Sequence, residues 1–299
     1  MLRTTFSSTP VAQVMRDYLA LTKPRIVALL VFTTVAAMVV ARPSVPLVTL
    51  LSTMIGGALA AAGASAINQY LDRDIDIQMS RTKHRPIPGG RISPVNALLF
   101  GLSLLAWATL ILVVMDNWLT GLLALMGAAY YIFLYTLLLK RNTALNIIIG
   151  GGAGAMTVLV GWAAATGSLS PQAFLLFAII FAWTPPHSWA LAVLVDTDYE
   201  QVNVPMMPVA HGSEFTRLQI AWYSLQLVIL TLFPLPLKML GLFYFGAALL
   251  LGAGLLWRAY FLVRKATKLA ARQMYKYSSL YLALLFLAMI VDKLISGGH

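Results

Sequence analysis

Nine apolar runs dominate the chain, at roughly 26–41, 47–67, 95–115, 118–139, 144–164, 172–194, 217–236, 240–262 and 277–296. Each is close to the ~20 residues an α-helix needs to cross a bilayer. Polar residues between them come in short bursts, some as brief as Asp116-Asn117. Links that short make consecutive helices antiparallel neighbours, so the pattern predicts one all-α bundle of nine transmembrane helices. Residues 1–299 are expected to form a single membrane domain, with 1–24 as a cytoplasmic N-terminal segment. Pro24 is placed for the first turn of the first span.

The polar bursts also predict orientation. Of the 21 Lys and Arg residues, 18 fall in the N-terminal tail (from Arg3 to Arg25) or in the loops after spans two, four, six and eight. Only Arg42, Lys238 and Lys293 fall on the other side. Positive residues mark the cytoplasmic face, so the N-terminus is expected inside and the C-terminus outside. Composition agrees with a membrane protein: 60% of residues are hydrophobic and only 10% charged. The net charge of +11 follows this topology, so it does not point to nucleic acid. The absence of cysteine excludes disulfides, thiolate metal sites and cysteine nucleophiles. The short basic start carries Asp17 and makes a poor transit peptide, which favours a bacterial plasma (cell inner) membrane over a mitochondrial one.

The second run has no charge until it ends in Asn68-Gln-Tyr-Leu-Asp72-Arg-Asp74-Ile-Asp76. Positions 68, 72 and 76 share one helix face, and Asp74 lies off it. A helix C-terminus already carries the negative end of the dipole, so clustered carboxylates there call for a cation. Oxygen donors suit Mg²⁺, and the candidate metal ligands are Asn68, Asp72 and Asp76. The same loop continues with Arg81, Lys83 and Arg85, cations suited to the oxygens of a diphosphate. No GxxxxGK[ST] phosphate loop occurs, which argues against an ATPase. A second acidic group, Asp196, Asp198 and Glu200, follows span six, also on the cytoplasmic side. If span six continued as helix, Asp196 and Glu200 would share a face and Asp198 would point away.

Span six contains Trp183-Thr-Pro185-Pro186-His187-Ser-Trp189. Adjacent prolines are expected to open the helix, and an aromatic-lined pocket with an imidazole has the character of a porphyrin site. A lone intramembrane histidine is equally readable as an interhelical hydrogen-bonding residue. Gly150-Gly-Gly152-Ala-Gly154 reads as a close-packing surface of span five, and Asn146 at its start as a cap or a site residue.

Taken together, Leu21-Thr-Lys23-Pro24-Arg25, the Asn68/Asp72/Asp76 signature, Arg81-Thr-x-x-Arg85-Pro86, Asn146 with its glycines, Trp183-Thr-Pro-Pro-His187, and Asp198-Tyr199 before Pro205-Met-Met-Pro208 make the chain resemble the UbiA superfamily of intramembrane prenyltransferases. The last two segments resemble its heme-prenylating branch. The resemblance implies that Mg²⁺ on Asn68, Asp72 and Asp76 grips farnesyl diphosphate, with Asp198 or Asp196 serving a second ion. Arg81, Lys83 and Arg85 neutralise the leaving group. His187, Trp183, Tyr199 and Asn146 are then contacts for the acceptor, heme B, whose vinyl group would be converted to the side chain of heme O. A downstream heme A synthase is an implied partner. Relatives often carry paired prolines in span five, where this chain has Met156-Thr157-Val158, so a straighter helix is expected there. Three other readings compete: a UbiA-type enzyme acting on 4-hydroxybenzoate or a similar ring, a cation transporter, and a non-catalytic heme carrier.

Overall fold

The computed structural model describes residues 11–296; Arg3 of the charge count lies outside them. An amphipathic helix α1 (Val11–Leu21) precedes α2 (Pro24–Ala41), α3 (Leu47–Leu71), the single turn α4 (Arg73–Asp76) and α5 (Pro94–Met115). Helix α6 (Trp118–Ala129) runs directly into a π-helix over Tyr130–Leu139. Then follow α7 (Asn146–Thr166), α8 (Pro171–Leu194), α9 (Asp196–Gln201), α10 (Met207–Leu232), α11 (Leu242–Lys265) and α12 (Lys268–Ser296). No strand occurs among the described residues.

Every predicted apolar run is helical. Eight of these helices are long and apolar enough to cross a membrane. The remaining run lies in α10, whose Arg217, Gln219 and Gln226 dilute its apolar character and whose first turns are bent at Gly212 (φ 81°). Helix α12 starts nine residues before the predicted run, because the basic stretch from Lys268 to Lys276 is helical too.

Helix α3 packs on α5, α7 on α2 and α8, α8 on α10 and α12, and α12 returns to α2, which closes the bundle. Small residues let the helices meet at backbone distance. A Cβ on Gly63 would lie 2.7 Å from the Gly101 carbonyl oxygen, and one on Gly161 only 2.2 Å from that of Thr34. Gly150 and Gly152 are filled in the same way by Tyr135 and Tyr130, so the glycine run of α7 is a packing surface. Gly154 alone in that run faces open space. The outer surface exposes Leu99, Trp107, Val114 and Leu250, as a lipid-facing surface must. At the end of the bundle remote from the acidic clusters, the buried Asp292 of α12 accepts hydrogen bonds from the Gly241 and Tyr244 amides and caps α11.

Two expectations about helix continuity change. Helix α8 runs unbroken through Pro185 and Pro186. The prolines remove only the donors that would reach the carbonyls of Phe181 and Ala182, which the packed bundle tolerates. Helix α7 is continuous through Met156-Thr157-Val158, as expected from the lack of proline there.

Candidate active site

The opening acidic cluster is built at a helix break. Helix α3 ends at Leu71; Asp72 adopts φ −88°, ψ 4°, and α4 starts at once. The break preserves the predicted face. Asn68, Asp72 and Asp76 are 3%, 1% and 2% exposed, whereas Asp74 swings out into a bidentate pair with Arg141. The Arg141 guanidinium holds the Asp74 carboxyl below the usual carboxylate range.

Each buried acid is met by a cation from another part of the chain. Lys140 Nζ lies 2.5 Å from Asp72 Oδ2, and Arg85 Nη1 lies 2.6 Å from Asp76 Oδ2. Lys23 donates to Asn68 Oδ1 at 3.0 Å, while Asn68 Nδ2 donates to Asp72 at 2.7 Å. Burial, with Arg85 and Lys140 nearby, pushes the Lys23 ammonium down to about 7. With Arg141 Nη2 3.7 Å from Asp72 Oδ1, four cationic side chains thus converge on the amide and two carboxylates, and charges this buried require such partners.

The π-helix brings Lys140 into this group. A π-turn takes more residues than an α-turn, so hydrogen bonds run from i to i−5. The Lys140 amide bonds to the Tyr135 carbonyl, and the Thr136 hydroxyl to the Tyr131 carbonyl. That spacing aims Thr136 at Asn68 and Lys140 at Asp72.

The loop after α4 folds over the acids. The Thr82 hydroxyl donates to the Asp76 carbonyl, and Arg91 ties the loop to Asp17 of α1 at 2.8 Å. Asp198 reaches in from α9 and accepts from the Ser80 hydroxyl (2.6 Å) and the Arg81 amide (3.2 Å). The Ser80 hydrogen bond, outweighing burial, holds Asp198 below the usual carboxylate range. Arg81 stands beside Tyr199. Lys83 is exposed and makes no side-chain bond among the described residues.

The second acidic group is arranged opposite to the helix-continuation expectation. Helix α8 stops at Leu194, so α9 starts in a new direction. Asp198 therefore turns inward, and Asp196 turns to Lys268 of α12 at 2.7 Å. Asp196 thus faces α12, while Asp198 faces the loop after α4. Asn146 is fully buried, its amide nitrogen 3.5 Å from the Lys140 and Pro205 carbonyls and its Oδ1 without a partner among the described residues.

The donor set fits a hard divalent cation. It is all oxygen, and buried Asp72 Oδ1 has no hydrogen-bond partner among the described residues, with only Arg141 Nη2 near it at 3.7 Å. The acids are not preassembled as a nest: no three His, Cys, Asp or Glu residues gather among those described, and Lys140 and Arg85 stand against the carboxylates. Lys23, Lys140, Arg141, Thr136 and Ser80 belong to the site although the acidic signature does not contain them. The Lys140-Arg141 pair at the end of span four predicted to be cytoplasmic, the same predicted face as the acids, was the available signal.

Behind Lys23 and Ser65 an apolar cavity of about 230 Å³ extends between α2, α3, α6 and α7. Ala124, Gly154 and Thr157 line it, and it reaches as far as Val160. His187 sits elsewhere, at the α8–α12 contact. Its ring stacks on Trp183 (4.3 Å between centroids) and Tyr275 (4.7 Å), and its Nδ1 lies 2.9 Å from the Ser278 hydroxyl.

A buried acidic and cationic cluster thus stands at the mouth of an apolar cavity within a bundle of membrane-length helices. The sequence model of the UbiA prenyltransferase family matches residues 29–288, and the chain belongs to that family. Among its relatives, a protoheme IX farnesyltransferase of Rippkaea orientalis is 48% identical over 285 residues, covering 94% of this chain and 88% of its own. Another from Roseiflexus sp. is 49% identical over 282 residues, covering 94% of this chain. The chain spans about half (53%) of that relative's length. Two solved structures share the fold at 18% identity. A digeranylgeranylglyceryl phosphate synthase has TM-score 0.76, covering 93% of this chain and 98% of its own. A UbiA homologue from Archaeoglobus fulgidus, bound to DMAPP and Mg²⁺, has TM-score 0.67, covering 91% and 99%. The protein is a multi-pass membrane protein of this fold.

Proposed function

We propose that this chain transfers the farnesyl group of farnesyl diphosphate to a vinyl group of heme B, forming heme O. The observation that carries the transferase reading is the junction of the two halves of the site. Lys23 touches Asn68 and also lines the mouth of the apolar cavity, so a diphosphate on the polar side would lead its isoprenoid tail directly into the apolar side. The heme acceptor is supported by the 48–49% identity to protoheme IX farnesyltransferases.

Asn68, Asp72 and Asp76 would hold Mg²⁺, and Asp198 would serve a second ion. Bound there, Mg²⁺ would supply Lewis-acid neutralisation of the diphosphate. Lys140 and Arg85 leave their carboxylates for the diphosphate oxygens, and Lys23 joins them; Arg81 and Lys83 line the loop above. Cations placed where negative charge develops lower the barrier to breaking the allylic C–O bond. The cavity wall excludes water from the allylic cation. The terminal vinyl carbon attacks that cation, water adds to the adjacent carbon, and a proton leaves, giving a hydroxyethylfarnesyl substituent and free diphosphate. Trp183, Tyr199 and Asn146 are assigned to the acceptor side with His187. The loops that carry the site face the cytoplasm of a bacterial plasma membrane, and the product would pass to a heme A synthase.

The test is incubation of the full chain in lipid nanodiscs with Mg²⁺ and farnesyl diphosphate, supplying heme B or 4-hydroxybenzoate separately. A mass-identified heme O product is the expected result; prenylated hydroxybenzoate alone would overturn the acceptor assignment.

A further inference from the structure

The hairpin of α11 and α12 carries six cations, Arg258, Arg264, Lys265, Lys268, Arg272 and Lys276, and residues 258–276 contain no Asp or Glu. Cations elsewhere at this end of the bundle are balanced by the chain itself: Arg85, Arg91, Lys140 and Arg141 each meet a carboxylate. On the hairpin only Lys268 does so, with Asp196 of α9. Arg258 is engaged with Gln273 Oε1 at 3.0 Å. Arg264, Lys265, Arg272 and Lys276 are exposed and have no side-chain partner among the described residues. The positive-inside rule accounts for the side of the membrane such residues occupy, but not for their lack of partners. Four like charges on one short hairpin repel one another, and a bound anion would relieve that repulsion.

Aromatic rings stand beside these charges. Trp257 packs on Phe261 (4.7 Å between centroids) and lies 6.2 Å from Tyr260. Trp257 and Tyr260 are nevertheless 59% and 52% exposed. Exposed Trp and Tyr are the side chains that settle at the headgroup level of a bilayer. The Arg258–Gln273 hydrogen bond sets the register of the hairpin, so Trp257 and Arg272, each next to one of the bonded residues, lie at the same depth. One turn and more below, Leu250 is exposed on the lipid-facing surface. Along α11 the outer surface thus runs from aliphatic Leu250 through Trp257 and Phe261 to Arg264 and Lys265, the order of acyl chain, glycerol and phosphate in a lipid.

We propose that the outer face of the α11–α12 hairpin is a binding site for an anionic phospholipid. Arg272 and Lys276, with Arg264 and Lys265 beside them, hold its phosphate, and Trp257 and Leu250 carry its glycerol and acyl region. Clusters of Lys and Arg adjoining a membrane helix attract anionic headgroups, and Arg offers paired N–H donors to phosphate oxygens. The site is separate from the acidic cluster. Lys268, which bonds to Asp196 and to the Leu194 carbonyl at 3.3 Å, closes the hairpin against α8 and α9 and is not part of it. A lipid on the hairpin braces α12 from outside and leaves the diphosphate site open.

The experiment is native mass spectrometry of the full chain released from nanodiscs of mixed phosphatidylglycerol and phosphatidylcholine, with thermal denaturation in detergent on adding either lipid. The wild type is expected to retain phosphatidylglycerol and to melt higher with it than with phosphatidylcholine. The quadruple variant Arg264→Gln/Lys265→Gln/Arg272→Gln/Lys276→Gln should lose that retention by about tenfold or more and lose the rise in melting temperature. Its melting temperature in detergent alone should equal the wild type's, which shows that it folds; the smaller variant Arg272→Gln/Lys276→Gln repeats the test and should lose most of the retention. Arg16→Gln/Arg25→Gln removes two exposed cations outside the hairpin and should change nothing. Undiminished retention in the hairpin variants, or an equal loss in Arg16→Gln/Arg25→Gln, overturns the site. Displacement of the lipid by millimolar inorganic phosphate would show a general anion site and overturns the lipid assignment.

Discussion

Lys140 and Asp72, 68 residues apart in sequence, meet at 2.5 Å in the bundle interior, where Asp72 is 1% exposed. The pair places an ammonium at the proposed Mg²⁺ site. Lys140→Met should leave a buried carboxylate without its nearest cation, a loss of up to roughly 3–5 kcal/mol. The same variant should acquire a rise in melting temperature on adding Mg²⁺ without any prenyl diphosphate, a rise weaker or absent in the wild type. Thermal denaturation with and without Mg²⁺ measures both effects, and a variant indifferent to Mg²⁺ would show that Lys140 and metal do not compete.

Asp72→Ala and Asp76→Ala remove the two most enclosed acids of the site. Each should cut turnover by about 10²–10³-fold, the cost of losing one electrostatic contact in a preorganised site. Heme binding, followed optically, should survive in both. Turnover within a few-fold of wild type would remove these residues from the diphosphate site.

Asp196 and Asp198 are two residues apart and should behave differently. Asp196→Ala breaks a partly exposed pair with Lys268, worth up to ~1 kcal/mol, and should leave turnover unchanged. Asp198→Ala removes the acceptor that holds the Ser80–Arg81 turn and should lower kcat/KM for farnesyl diphosphate at least tenfold. Equal kinetics for the two variants would contradict the inward and outward assignment.

Two glycines of α7 make a further contrast. Gly161→Ala forces a methyl group against the Thr34 backbone and should destabilise the protein by about 1–3 kcal/mol. Gly154→Leu enters open space in the cavity wall and should fold normally. It should reduce turnover with farnesyl diphosphate more than with geranyl diphosphate. Unchanged selectivity between the two diphosphates would place the isoprenoid tail elsewhere.

Much of this was legible in the sequence. Apolar runs of bilayer length have one solution in lipid, because only a helix satisfies its own backbone there. Each of the nine runs is helical for that reason. The Asn68/Asp72/Asp76 face was also readable, since a spacing of four survives the small break at Asp72; the same rule correctly set Asp74 aside. Where a local rule failed, a neighbouring segment was responsible. Asp196 and Asp198 exchanged roles because α8 stops at Leu194, and nothing in the local pattern marks that stop. Pro185 and Pro186 left α8 intact because packing holds a helix that has lost two hydrogen bonds.

The sequence by itself determined the class of structure, the acidic signature and the segment that holds His187, because these depend on composition and short spacing. Only the tertiary structure decided the partners. Lys140 reaches Asp72 through a π-helix, whose period a 3.6-residue pattern does not anticipate. Lys23 joins the polar cluster to the apolar cavity, and Ser278 orients His187 from 91 residues away. Such contacts follow from which helices become neighbours, and that is set by the packing of whole faces, not by any one stretch of the chain.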